Sequence, residues 1–203
     1  MASEAPVAYP RRRRRLPIIA AASTAVPLVC LSVAFLRDEL GANPVEEITH
    51  VTGDWTLRFL LASLAITPAR RAFGLPAIAP LRRTFGLAAF GYATLHALTY
   101  VGLDQGFHWE FLTEDVREHR FVTAGLGAWC CLLPLALTST RRAMRRLGPR
   151  WRQLHRLSYA AGVLGVVHYI WLVKADLLAP LAHAAVLAVL LAARFQGRRR
   201  AGC

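Results

Sequence analysis

Apolar residues along this chain fall into six runs separated by shorter polar segments. A membrane-spanning helix needs about 20 mostly apolar residues, and most of the runs approach this length. We therefore predict an all-α fold, a six-helix polytopic membrane bundle, with spans at residues 17–36, 52–67, 84–103, 121–138, 154–174 and 177–193. A soluble helical bundle would need polar helix faces, which these runs lack. No internal repeat is visible beyond the arginine runs.

Composition supports this interpretation and sets the domain limits. Hydrophobic residues make up 55% of the 203 residues, and the mean hydropathy of +0.37 is too high for a soluble domain. We expect one membrane domain over residues 17–195, with basic tails over residues 1–16 and 196–203. The net charge of +13 lies at the ends of the apolar runs, which indicates membrane orientation and argues against nucleic acid as a partner.

The charged residues divide between two sides of the predicted bundle. Arginines dominate the two tails and the segments between spans two and three and between spans four and five, whereas acidic residues dominate the other connections. Segments rich in lysine and arginine stay on the cytoplasmic side of a membrane. The pattern therefore predicts that both termini face the cytoplasm.

Two histidines lie at matching depths in two of the predicted spans. Spans three and five run in the same direction, and His96 and His168 each lie roughly 10 Å below the predicted outer boundary at about 1.5 Å rise per residue. An ionisable side chain is costly inside a bilayer, and neutral imidazole is a common axial ligand of haem iron. Imidazoles on two facing helices predict a haem site that is held from both sides.

A third histidine, His155, is the remaining candidate metal ligand. It lies thirteen residues before His168, about 20 Å away along a helix, and near the cytoplasmic face. A second haem there would need a partner on span three near Arg82 or Arg83, where the sequence has no histidine. Ligation of iron with another partner and contact with a flavin or a quinone both stay open for His155.

The other histidines and the neighbours of the candidate site have simpler interpretations. We expect His183 to be a packing or hydrogen-bonding residue. Three histidines are expected to be solvated in outer loops: His50, His108 and His119. Tyr92 and Tyr100 lie one helical turn before and after His96, on the same helix face. Five arginines are candidates to pair with cofactor phosphates or propionates, although membrane orientation explains them equally well: Arg82, Arg83, Arg150, Arg152 and Arg156.

Four stretches of the sequence resemble a known membrane family. They are residues 41–71, LRRTFGLAAFGYATLHALTY (81–100), LTSTRRAMRRLGPRWRQLHRLSY (137–159) and VVHYIWLVK (166–174). These stretches are similar to the ferric-reductase-like membrane domain, and most of all to the haem-binding membrane subunits of bacterial periplasmic methionine sulfoxide reductase systems. The resemblance covers nearly the whole chain after the first predicted span.

The resemblance implies a bacterial inner-membrane protein that carries haem b and FMN. Such a subunit takes electrons from the quinone pool and passes them to a periplasmic molybdopterin-containing methionine sulfoxide reductase, which repairs oxidised envelope proteins. In that family the histidines matching His96, His155 and His168 are associated with haem. No motif in this sequence marks the residues that contact FMN.

Three other functions are open on the residues alone. A haem-dependent ferric or other surface reductase would use the same histidines. A histidine-relay proton or ion transporter would place carboxylates in mid-span, whereas Asp54, Asp104 and Asp176 lie at predicted span edges. A cofactor-free scaffold would leave the matched histidine depths unexplained. The sequence holds no G-x-G-x-x-G element and no catalytic acid, base or nucleophile set on the outer side, so we expect other molecules to supply the electrons and the substrate chemistry.

Overall fold

The described part of the chain is helical apart from short connections. A computed structural model describes residues 12–173 and 175–199, and no β-strand occurs within these ranges. The predicted all-α class is therefore confirmed. In chain order the helices are α1 (Arg12–Leu36), α2 (Pro44–Ala72), α3 (Leu81–Leu98), α4 (Trp109–Glu118), α5 (Arg120–Leu137), α6 (Arg141–Leu147), α7 (Pro149–Leu154), α8 (Leu157–Leu172) and α9 (Leu178–Arg199). Much of the two predicted tails and the predicted end of span five at Lys174 lie outside the described residues.

Each of the six predicted spans coincides with one long helix. These helices are α1, α2, α3, α5, α8 and α9, and each contains at least 16 residues. By length and apolar composition, α1 over Arg15–Leu36 and α5 over Arg120–Leu137 qualify as membrane spans, and α9 holds a shorter apolar stretch at Leu178–Arg194. That all six helices cross the membrane, and that both termini face the cytoplasm, stay predictions.

The second helix begins about two turns before the predicted span. Pro44 occupies its first turn, and the side chain of Asn43 caps it by accepting a hydrogen bond from the Glu46 backbone N–H at 3.3 Å. Glu46 and Glu47 also favour a helix start because the helix dipole is positive there. An apolar window cannot include these polar residues, so the helix extends about two turns beyond the predicted start of the span at residue 52. Asp54 consequently lies inside α2 and not at its edge.

The fifth predicted span also has the wrong start. α8 begins at Leu157, and His155 lies in a break between α7 and α8. Apolar residues occur on both sides of this break, which is why hydropathy did not reveal it. The structure therefore places His155 before the long helix and not within it.

The connection between α3 and α5 is more regular than the sequence predicted. α3 continues as a π-helical turn over Thr99–Asp104, and Gly106 at a φ of 57° then turns the chain toward α4. Among the described side chains of α4, only that of Leu112 is buried. The hydroxyl of Tyr100 donates a hydrogen bond to Asp115 and so holds α4 against the end of α3.

Four helices form the centre of the bundle as two pairs. α2 packs along α3 and α5 packs along α8, while α3 also contacts α5 and α2 also contacts α8. Ala89 on α3 and Ala161 on α8 are fully buried in the central apolar cluster. Small residues at such positions let helix backbones approach closely. The two pairs therefore bring α3 and α8, which carry the candidate ligands, into one core.

A tyrosine hydroxyl inserted into the backbone of α1 holds that helix to α3. Tyr92 Oη donates to the Thr24 carbonyl oxygen at 2.8 Å and accepts from the Leu28 N–H at 3.1 Å. Within an uninterrupted helix these two backbone groups would pair with each other. The hydroxyl therefore satisfies both groups and links the two helices.

We predict that Tyr92→Phe weakens the attachment of α1. The loss of two hydrogen bonds should lower the free energy of unfolding by roughly 1–2 kcal/mol. The unfolding midpoint of the detergent-solubilised chain measures this loss. Ser32→Ala is the control because the Ser32 hydroxyl bonds only the Leu28 carbonyl of its own helix. An unchanged midpoint in Tyr92→Phe would contradict the link.

Candidate functional site

The imidazole of His96 on α3 is oriented by a backbone carbonyl of the neighbouring helix. Its Nδ1 lies 2.9 Å from the carbonyl oxygen of Thr49 on α2. A carbonyl oxygen can only accept a hydrogen bond, so Nδ1 carries the proton and Nε2 of the neutral ring keeps its lone pair. Gly53, one turn further along α2, contacts the same ring, and a Cβ there would lie 3.0 Å from two ring atoms. The absence of a side chain at this glycine makes room for the imidazole.

His168 on α8 is held in the same way by α5. Its Nδ1 lies 2.7 Å from the carbonyl oxygen of Phe121, which again fixes the proton on Nδ1. Gly125, one turn beyond Phe121, contacts the ring, and a Cβ there would lie 2.8 Å from Nδ1 of His168. Both candidate ligands therefore have an identical local environment: a carbonyl that sets the tautomer and a glycine that admits the ring.

The two imidazoles lie at a spacing that one metal ion can bridge. Their ring centroids are 6.0 Å apart, and the ring planes make an angle of 84°. Two imidazoles bound on opposite sides of one metal ion, at a metal–nitrogen distance of about 2 Å, have ring centres about 6 Å apart. Within residues 12–173 and 175–199 neither Nε2 has a hydrogen-bond partner. His96 and His168 could therefore hold one haem iron between them, with one imidazole from each helix.

The remaining ligands of such an iron would have to come from a porphyrin. Among the described side chains no group of three or more His, Cys, Asp or Glu residues could hold a metal ion. Hydrogen bonds from Nδ1 to backbone carbonyls are the usual outer support of a metal-ligating histidine. The structure thus brings His96 and His168 together with the chemistry of axial ligands, and their role as ligands stays a prediction.

His155 is not part of this pair. Its Nε2 lies 3.2 Å from Oγ1 of Thr138, and its ring stacks on Trp151 with the centroids 3.8 Å apart. Burial first, and then the Arg82 guanidinium, lower the pKa of His155 to about 4, so the imidazole is neutral at physiological pH. The structure therefore separates His155 from the paired histidines and places it among arginines.

The arginines that were predicted to pair with cofactors divide into two sets. Three of them line a cavity of about 440 Å³ that also contains His155: Arg82, Arg152 and Arg156. The other two do not line it: Arg83 and Arg150. The cavity adds two arginines that sequence analysis did not single out: Arg71 and Arg194. The selection of three from five depends on side-chain direction, which the sequence does not give.

A charged pair lies inside α2 next to Gly53. Asp54 and Arg58 form a salt bridge of 2.5 Å, and His183 Nε2 lies 3.8 Å from Asp54. His183 also forms a hydrogen bond of 2.8 Å with the Ala179 carbonyl through Nδ1, so it is a hydrogen-bonding residue as expected. Asp54 thus lies well inside α2, and the Arg58 guanidinium pairs with its carboxylate there.

The tyrosines expected beside His96 make their hydrogen bonds elsewhere. Tyr92 bonds the backbone of α1, and Tyr100 bonds Asp115 on α4. The three histidines expected to be solvated are exposed: His50, His108 and His119. His50 lies within α2 and not in a loop, because that helix starts earlier than predicted.

Sequence analysis missed the residues that position the two imidazoles. Thr49 and Phe121 act through backbone carbonyls, which leave no trace in residue type. Gly53 and Gly125 do leave a signal, because an isolated glycine inside a helix is unfavourable and usually has a packing reason. Each of these glycines faces a histidine of the paired helix.

A family comparison covers the central part of this fold. The family described as "Ferric reductase like transmembrane component" matches residues 52–166, which is more than half of the chain. The matched segment includes His96 and His155 and ends two residues before His168. This match supports a transmembrane protein.

Curated relatives extend the similarity over most of the chain. The "Protein-methionine-sulfoxide reductase heme-binding subunit MsrQ" of Rhodospirillum rubrum is 49% identical over 181 residues, 87% of this chain and 87% of the relative. The chain belongs to the MsrQ family. The MsrQ protein of Azospira oryzae is 45% identical over 179 residues, 87% of this chain and 77% of the relative. The MsrQ protein of Xanthomonas oryzae pv. oryzae is 48% identical over 154 residues, 76% of this chain and 71% of the relative.

Proposed function

We propose that this chain is a haem-containing transmembrane electron-transfer subunit of a methionine sulfoxide reductase system. The observation that carries the proposal is the close pair of imidazoles on two helices, whose ring centroids lie 6.0 Å apart. Haem b bound between His96 and His168 would supply a one-electron carrier inside the membrane. The names of the MsrQ relatives, which are heme-binding subunits of protein-methionine-sulfoxide reductase, support the same function.

The chain's own residues would prepare both sides of this haem. The Thr49 and Phe121 carbonyls keep a proton on each Nδ1 and so leave the Nε2 lone pair of each ring available for a metal ion. Hydrogen bonding at Nδ1 also raises the basicity of Nε2. Both rings are partly buried between the helices, which limits the access of water to them.

The direction of electron flow follows from the family resemblance. We infer that electrons come from the quinone pool and leave to a periplasmic molybdopterin-containing methionine sulfoxide reductase, for the repair of oxidised envelope proteins. The chain would lie in the bacterial inner membrane with six spans and cytoplasmic termini. Support for this orientation comes from the arginine cavity, which draws on three segments predicted to face the cytoplasm. FMN is proposed as a further cofactor on the resemblance alone, and His155 as a cofactor-associated residue at the arginine end.

Removal of either axial imidazole should remove the haem. We predict that His96→Ala and His168→Ala each lose most of the bound haem, because one side of the iron is left without its ligand. Soret absorbance per mole of detergent-solubilised protein measures haem content. His50→Ala is the matched control, since His50 is exposed on α2. Full haem content in either ligand variant would refute the assignment.

A methyl group at the supporting glycine should have a similar effect without replacing either candidate ligand. In Gly125→Ala the new Cβ would lie 2.8 Å from Nδ1 of His168, so the ring must move or lose its bond to Phe121. We predict a lower haem content and a shifted spectrum of the reduced protein. Gly91→Ala is the control, because a Cβ at Gly91 on α3 meets nothing within 4 Å. Equal spectra for the two variants would show that the glycine contact does not position His168.

The electron-transfer role predicts a coupled reaction in membranes. Vesicles that contain this chain and a periplasmic methionine sulfoxide reductase should reduce methionine sulfoxide with a quinol as the electron donor. We expect the rate to fall to background in His168→Ala and to persist in His50→Ala. Reduction of ferric citrate by wild-type vesicles without quinol-dependent methionine sulfoxide reduction would contradict this pathway and favour a surface ferric reductase.

A further inference from the structure

Arg58 is an exposed cation at the centre of α2. Residues 44–57 of the helix precede it and residues 59–72 follow it, so it lies about 21 Å from either end. Among residues 51–69, all of which the structure describes, Arg58 alone is exposed. In the proposed function α2 spans the membrane, which places this guanidinium at the level of the lipid chains. An ionisable side chain is costly there and indicates a functional site.

A salt bridge neutralises this cation without covering it. Oδ2 of Asp54, one turn earlier on α2, lies 2.5 Å from the Arg58 guanidinium. The guanidinium also lies over the ring of Trp55, 4.9 Å from the ring centroid. The side chains of Arg58 and Asp54 nevertheless stay 49% and 25% exposed. A ligand dissolved in the membrane could therefore reach both charged groups from the side of the bundle.

His183 on α9 places a second hydrogen-bond acceptor beside the Asp54 carboxylate. Its Nδ1 lies 2.8 Å from the Ala179 carbonyl oxygen, so Nδ1 of the neutral ring carries the proton and Nε2 keeps its lone pair. Nε2 lies 3.8 Å from Oδ1 of Asp54, which is too far for a direct hydrogen bond. Two acceptors thus lie side by side and cannot bond each other while the imidazole is neutral. A hydroxyl group that donates to one of them would complete the arrangement.

The two acceptors adjoin the paired histidines. Asp54 directly follows Gly53, which contacts the ring of His96. The other acceptor packs edge-on against Tyr169, which directly follows His168, with the ring centroids 5.8 Å apart. An α-helix with its side chains is about 10 Å across, so a ligand at Asp54 would lie roughly one helix diameter from the His96 imidazole. The position is therefore beside the proposed haem and within the membrane.

We propose that Asp54 and His183 bind the headgroup of a lipid-soluble quinol, with a quinol hydroxyl as the donor between the two acceptors. The proposal rests on the proposed function, in which a quinol supplies the electrons. A quinol carries two hydroxyl groups on a planar ring and is soluble among lipid chains, so it brings the missing donor to this depth. The quinone form has carbonyl acceptors instead, to which the exposed Arg58 guanidinium can donate. The same residues therefore fit both states of the carrier.

The two acceptors also have the chemistry that quinol oxidation requires. Conversion of a quinol to a quinone breaks two O–H bonds and releases two protons and two electrons. Nε2 of His183 can accept one proton, and the Asp54 carboxylate can accept the other. The electrons leave one at a time to the one-electron carrier of the proposed function, and both protons pass to water before the next quinol binds.

A fluorescent quinol analogue tests the site without turnover. Heptyl-hydroxyquinoline N-oxide is titrated into the full-length, haem-loaded chain in a neutral detergent, and the quenching of its fluorescence gives the Kd. His183→Phe keeps a ring beside Tyr169 but removes the acceptor. We expect it to weaken binding about tenfold or more, because a donor left without its acceptor in an apolar site is costly. His50→Phe is the matched control, since His50 is exposed on α2.

A charge-neutral double variant tests the carboxylate. Loss of Asp54 alone would leave the Arg58 guanidinium without its partner and so destabilise the fold. Asp54→Asn combined with Arg58→Gln removes both charges, and we expect about tenfold or more weaker binding of the analogue. Haem reduction by decylubiquinol or menadiol, whichever is faster with the wild type, should slow to a similar extent, whereas reduction by dithionite should not change. Arg37→Gln combined with Asp38→Asn removes the same two charges from exposed positions after α1 and is the control.

Three results would overturn the proposal. They are no saturable binding of the analogue by the haem-loaded wild type, an equal Kd in the wild type and both site variants, and equal weakening in the site and control variants. An equal Kd with a lower unfolding midpoint would assign Asp54 and His183 to the attachment of α9 alone.

The same measurements separate this site from the proposed function. A wild-type chain that binds the analogue through Asp54 and His183 but holds no haem would refute the proposed function and leave the site intact. Reduction of haem by the quinol at the wild-type rate in the double variant would refute the site and leave the proposed function intact.

Discussion

The hydrogen bonds from two histidine side chains to backbone carbonyls of neighbouring helices are the interactions on which the candidate site depends. They fix the tautomer, because a carbonyl oxygen requires a proton on Nδ1. They also fix the ring direction, because each carbonyl belongs to a helix that packs along the helix carrying the histidine. A histidine free to rotate would hydrogen-bond to any nearby helix group, as is common for polar side chains in membranes. Here hydrogen bonds within the protein fix the tautomer and the orientation of both rings without a metal ion.

The two halves of this site are built to one plan. In each half the residue whose carbonyl accepts the hydrogen bond precedes its histidine by 47 positions: Thr49 before His96 and Phe121 before His168. Gly53 and Gly125 follow those residues by one turn, and the buried Ala89 and Ala161 precede the histidines by two turns. The two helix pairs, α2 with α3 and α5 with α8, are thus related as an internal repeat. Sequence analysis found no repeat because the shared positions are few and widely spaced.

The helices and the two candidate ligands could be predicted from the sequence, whereas the residues that position those ligands could not. Equal depth in two parallel spans was enough to pair His96 with His168, since rise per residue is a property of every α-helix. The carbonyls and glycines that position these histidines follow only from the packing of the helices. Hydropathy marked only the apolar part of α2, although Asn43 and Pro44 are a recognisable helix start two turns earlier. It also ran α8 through His155, because a break flanked by apolar residues leaves the average unchanged.

The same repeat explains why the two ends of the bundle differ. The position of α3 that corresponds to His155 is occupied by Arg83, 72 residues earlier in the chain. Arg83 therefore stands where an imidazole would complete a second pair with His155. The neighbouring Arg82 faces His155. Guanidinium groups cannot lose their proton under ordinary conditions, so they do not serve as metal ligands. The two ends of this repeated pair of helices thus carry different chemistry: guanidinium groups beside an aromatic stack at one end, and two imidazoles protonated on Nδ1 at the other.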